Sequence, residues 1–180
     1  MRAMPPGEVL DFWFGLDRKY WFRKDAAFDA EIRARFLPLY ERAAAGQLAE
    51  WTGAPRSCLA LVILLDQFGR NMFRGSARAF AADPLALEAA RAIVGAGWDA
   101  SYTAEQRSFA YLPFEHSESL ADQERCCALM KPLGEELYRY AERHREIIAR
   151  FGRFPHRNAA LGRESTPEEI EFLALPGSSF

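Results

Sequence analysis

The chain has 180 residues, 49% of them hydrophobic, and a formal net charge of −2. That is enough apolar material for one domain with a proper core, and it excludes an intrinsically disordered chain. The balanced charge gives no global attraction to nucleic acid or to an anionic membrane.

The basic residues are 20 Arg and only 3 Lys, and arginine suits bidentate pairing with carboxylates better than lysine does. Cys58, Cys126 and Cys127 form no even framework, which points to a reducing compartment with cysteines used as small apolar residues. No basic-then-apolar leader opens the sequence. The longest apolar run, CLALVILL at 58–65, falls far short of the roughly 20 residues a membrane span needs. The expected location is the cytoplasm.

In chain order, GEVLDFWFG (7–15) predicts a short helix ending at Gly15. DAAFDAEIRARFLPLYERAAAGQ follows, with Phe28, Ile32, Phe36, Leu39 and Ala43 at helical steps and Pro38 as a point of bending. Pro55 suits a first helical turn, and the helix after it, apolar all round to about Phe68, reads as the buried central one. Asp83-Pro84 opens another helix, and Thr103 to Gln106 has the pattern of a capping box. Pro113 is expected to interrupt that helix, with Ser119 as the next N-cap and Asp122 three residues on. Pro132 and Gly134 break the stretch that follows. The next helix carries Leu137, Ala141, His144, Ile148 and Phe151 on one stripe. Thr166-Pro-Glu-Glu169 caps a final helix.

No strand alternation and no glycine-rich phosphate loop is present. The expectation is therefore an all-α single domain over residues 1–180, with about seven to eight helices. LLDQFGRN (64–71) and IIARFGRF (147–154) echo each other, and both predict a helix ending at glycine in a left-handed cap.

Polar chemistry concentrates in three segments. In DQFGRNMFRG (66–75), Asp66 and Arg70 stand at i and i+4, the favourable order for a helical ion pair. Asp66 follows eight apolar residues, so burial demands a partner for it. From Glu115 to Glu124 the chain carries four acids and no Lys or Arg, whereas 144–163 carries five Arg and one Glu. The simplest account is that these two segments pair. The functional account uses the same residues: arginines gripping a carboxylate or phosphate, with His116 or His156 as acid or base.

The candidate ligand-binding residues are Asp66, Arg70, Asn71, Arg74, His116, Glu118, Asp122, His156, Arg157 and Asn158. They would line one groove, with His156 and Arg157 best placed to keep hydrogen-bonding capacity. His144, on an apolar stripe, reads as a core histidine. No catalytic residue is assigned, because no Ser or Cys sits in a nucleophile context and vicinal Cys126-Cys127 lies among apolar neighbours. The histidine and acid spacings match no HExxH or Cys/His frame, so no metal and no cofactor is expected. The aromatics of DFWFG, KYWF and FAYLPF read as core.

The elements VLDFWFG, WFRKDAAFDAEIRARF, LLDQFGRNMFRGSARAFAADPLAL, YLPFEHSESLADQE, HREIIARFGRFPHRNAALGRESTPEEIEFL and LPGSSF together resemble a bacterial family of unknown function, DUF924. The resemblance covers nearly the whole chain. One departure is Gly69, where the family more often has proline. The resemblance implies a fold of tetratricopeptide-like right-handed helical hairpins. It implies no accepted activity, cofactor or partner.

Two readings of function follow. One is a tetratricopeptide-like binding module for a peptide, a protein or a small anionic ligand. The other is an enzyme acting on an anionic metabolite through the same residues. A third possibility is structural: the clusters pin helix ends and the site lies elsewhere, at a homodimer face.

Overall fold

A run of eight apolar residues can stay out of water only inside other elements, and Cys58–Leu65 does so completely. The computed structural model describes residues 4–180 and is all-α, with no strand among the described residues. The helices are α1 (Pro6–Phe14), α2 (Ala26–Ala44), α3 (Pro55–Val62), α4 (Gly69–Met72) and α5 (Asp83–Gly95), then α6 (Ala104–Glu115), α7 (Leu120–Met130), α8 (Glu135–Phe151), α9 (Asn158–Leu161) and α10 (Pro167–Leu173). This exceeds the expected seven or eight because short pieces such as α4 and α9 give little periodic signal. Among the described residues no helix is long and apolar enough to cross a membrane.

Local chemistry sets most of the boundaries. The Asp25 carboxylate accepts from the amides of Ala27 and Phe28 and starts α2. Thr103 and Gln106 bond each other's backbone amides before α6, as do Thr166 and Glu169 at the start of α10. Pro38 and Pro113 lie inside α2 and α6 without ending them. The expected break at Pro113 is thus corrected: α6 runs on to Glu115, and the chain turns at His116 and bends at Glu118.

The FGR echo also splits. At Gly152 the backbone is left-handed (φ 69°) and closes α8 as expected. At Gly69 it is right-handed, and the helix continues to Met72 through a π-helical stretch, Ile63–Phe68. Glycine serves there for close approach, since a Cβ would lie 3.2 Å from the Tyr40 ring.

The chain divides into two compact units. The first comprises the residues up to Arg74 together with Arg78–Pro113. Its core packs Trp13, Phe36, Phe68 and Phe109 with ring centroids 4.7 to 5.6 Å apart, in tilted or edge-on pairs. The second comprises Gly75–Ala77 and Phe114–Phe180. Within it α7 and α8 pack as a helical hairpin joined by the short 3-10 turn Lys131–Leu133. Ile147, Ile148 and Phe154 form a core to which Phe151 and Phe172 add.

Candidate functional site

Asp66, Arg70, Asn71 and Arg74 belong to the first unit. Asp66 is 1% exposed and sits in the π-helical stretch, where it would be costly without partners. Gln67 Nε2 donates to its Oδ2 at 2.6 Å, and Arg70 Nη1 lies 3.2 Å from its Oδ1. The same guanidinium grips Asp83 with two bonds, 2.8 and 3.0 Å long. Asn71 and Arg74 are engaged as well: both donate to Asp29, at 2.7 Å from Asn71 Nδ2 and at 2.8 and 2.9 Å from Arg74. The accepting carboxylates lie 13 residues from Arg70 and 45 from Arg74 in the sequence. This cluster ties α4 to α2 and α5.

His116, Glu118, Asp122, His156, Arg157 and Asn158 belong to the second unit. Three of them build its frame. Arg163 grips Glu118 with two bonds, of 2.8 and 2.9 Å, and the Phe154 amide donates to Glu118 at 2.8 Å. Burial alone would raise the Glu118 carboxyl, but these donors outweigh it and hold it below the usual range. Asp122 accepts the Ser117 hydroxyl at 2.8 Å, while Ser117 Oγ accepts from the Ser119 amide. Ser119 is the N-cap residue of α7, yet its side chain makes no capping bond. Asn158 donates to Ser165 and Glu169 and accepts from Arg163. Glu169 also takes two bonds from Arg153, and these, with the Thr166 amide, lower its carboxyl to about 2.

The acidic and basic segments therefore meet at Glu118 and Arg163, whereas Arg153 turns to Glu169 and Arg150 to Glu168. Buried Gln123 donates its amide to the carbonyls of Glu115 (2.6 Å) and Ser117 (2.7 Å), closing the end of α6. Nothing in the sequence marked Gln123, because a glutamine within a helix is ordinarily solvated.

His116, His156 and Arg157 lie in a different setting. Arg157 donates to the His116 carbonyl at 2.9 Å, and its guanidinium stands 4.5 Å from the Phe154 ring centroid. The His116 and His144 rings are 6.4 Å apart, and His156 is 5.6 Å from Phe154. His144 is buried, as the apolar stripe implied, and its Nδ1–H donates to the Tyr140 carbonyl at 2.8 Å, with Glu115 Oε1 at 3.5 Å. Burial lowers its pKa to about 3 against the pull of that carbonyl, and the nearby His116, His156 and Arg157 lower it further. The ring is neutral at ordinary pH.

Sequence reasoning missed what lies over this ring. Phe180 stacks on His144 with centroids 3.7 Å apart and interplanar angle 22°. Arg143 donates to the Gly177 carbonyl at 3.1 Å, and its guanidinium is 5.5 Å from the Phe180 ring. LPGSSF offered no periodic or charge signal that could have shown this.

The thiols hold no activated nucleophile. Burial pushes Cys58 up to about 11 and raises Cys126 far above its ordinary value, with the Glu115 carboxylate adding to the effect. Among the described residues no group of three His, Cys, Asp or Glu side chains is placed to hold a metal ion.

The geometry defines an all-helical protein with an arginine–carboxylate network in one unit and an imidazole–aromatic cluster beside a salt-bridged frame in the other. The chain belongs to a family of bacterial proteins of unknown function, DUF924, whose family model matches residues 9–177. A solved structure, that of a protein of unknown function from Agrobacterium tumefaciens, is similar to it. That likeness has 46% sequence identity and a TM-score of 0.91, covering 94% of this chain and 96% of that chain. A comparison with curated proteins finds no match.

Proposed function

We propose that the protein is a cytoplasmic binding module with a tetratricopeptide-like arrangement of helical hairpins, and that its site is the imidazole–aromatic cluster of the second unit. The ligand is a peptide segment, of a partner protein or free. One observation carries the reading: α8 already holds a turn-forming segment of chain, residues 174–180. Arg143 grips the backbone carbonyl of Gly177 and His144 stacks on Phe180, a backbone contact and a side-chain seat of the kind that peptide recognition uses. His116, His156 and Arg157 flank that seat. Glu118, Asp122 and Asn158 support it as frame, and the first unit's Asp66, Arg70, Asn71 and Arg74 hold the fold.

The rival reading is an enzyme acting on an anionic metabolite. It needs an activated group, and the raised thiols and the neutral, carbonyl-bound His144 speak for binding instead.

A peptide array probed with the full chain tests this reading. The expected result is a set of bound peptides that is lost in His156→Ala and Arg143→Met, with melting midpoints unchanged. Bound peptides retained in both variants would overturn it. So would an array with no bound peptide and a metabolite anion that raises the melting midpoint.

A further inference from the structure

The seat of Phe180 has the marks of a built subsite. Phe180 is 41% exposed, and its ring stacks on a histidine that is 4% exposed, with the Arg143 guanidinium and the His156 ring also beside it. Ser178 is buried, with its hydroxyl on the Leu173 carbonyl, and it anchors the segment between Arg143 and His144. Gly177 has φ 76°, and a Cβ there would fall 2.5 Å from Arg143 Nη2. Glycine is thus required for the guanidinium to reach the backbone. The groups recognised are a backbone carbonyl and an aromatic ring three residues later.

Resting on the binding reading above, we propose that the His144 ring face and the Arg143 guanidinium form a subsite for an aromatic residue of a peptide ligand, and that this chain's own Phe180 occupies it until such a ligand displaces it. The ligand segment would present a carbonyl to Arg143 and lay an aromatic ring on His144, as residues 177–180 do. A tethered occupant competes at high effective concentration. It lowers the apparent affinity of an incoming peptide by the fraction of time the seat is filled.

The test uses the full chain, unmodified and as Phe180→Ala, with a dye-labelled peptide of sequence ALPGSSF as probe and fluorescence anisotropy as readout. The stacking strength of an aromatic pair sets the expected gain: the probe binds Phe180→Ala about fivefold more tightly than the unmodified chain. A probe with Ala in place of its Phe should lose that gain. Gly177→Val, which drives a side chain into Arg143 and leaves the Phe180 ring intact, should also raise affinity for the original probe. Equal affinity for the unmodified and Phe180→Ala chains would overturn the proposal, as would equal binding of the Phe-less probe or no binding to either chain. Failure here alongside array peptides that still depend on His156 would leave the binding module standing with a different seat. Failure of both would remove the module reading as well.

Discussion

The first unit's charged cluster and the second unit's imidazole cluster began as equals in the sequence, both dense in Arg, Asn and acids. The structure separates them by what each polar group touches. Arg70 has Asp66 on one side and Asp83 on the other, and Asn71 and Arg74 share Asp29. Every named group there answers a carboxylate of the same unit. In the second unit, Glu118, Asp122 and Asn158 are engaged in the same way, but His116, His144, His156 and Arg157 gather around aromatic rings. Charge density alone does not mark a site. The difference is in the partner: a carboxylate in the first cluster, the ring of Phe154 or Phe180 in the second.

The largest expected effect breaks the strut. Arg70→Met takes the guanidinium away from buried Asp66, which keeps the bond from Gln67, and loss of one member of a buried pair costs about 3 kcal/mol. Urea unfolding should show that loss, while ALPGSSF binding by Phe180→Ala is unchanged when Arg70→Met is added.

The next effect is on pH dependence. His144 has a folded-state pKa near 3, below its ordinary value, so the unfolded chain binds a proton that the folded chain refuses. Stability is full above about pH 6.5 and falls on acidification by at most about 1.4 kcal/mol per pH unit from this group. Glu169, held near 2, adds to the loss below its ordinary pKa of 4.5. In His144→Gln, the decline between pH 6.5 and 4.5 should flatten. An unchanged slope in that window would show that His144 is not the buried neutral group.

A smaller loss is expected from Glu118→Gln, which weakens the bidentate Arg163 grip and the bond from the Phe154 amide. Charge-assisted hydrogen bonds of this exposure contribute about 1 to 2 kcal/mol. The smallest stability effect is that of Arg143→Met, an exposed residue, within about 0.5 kcal/mol. Its consequence should appear in binding instead.

Helix starts were legible in the sequence because capping is local. Thr103 with Gln106 and Thr166 with Glu169 are three residues apart and settle their own geometry. Partner choice was not legible. Glu118 meets Arg163 from 45 residues away, and no spacing rule distinguishes that arginine from Arg153, which turns to Glu169. The two FGR strings differ for the same reason: Gly152 obeys its local cap, whereas Gly69 answers to the Tyr40 ring packed against it. His144 was legible as buried, but the residue covering it was not, since Phe180 reaches it from a segment without helical period.

In the proposed division of labour, the second unit's α8 face holds a ligand while the arginine–carboxylate network of the first holds the fold. The most direct measurement is the dissociation constant of ALPGSSF for Phe180→Ala with and without Arg143→Met, at matched urea midpoints. Binding at least fivefold weaker is expected once Arg143 is replaced. Equal dissociation constants would contradict it.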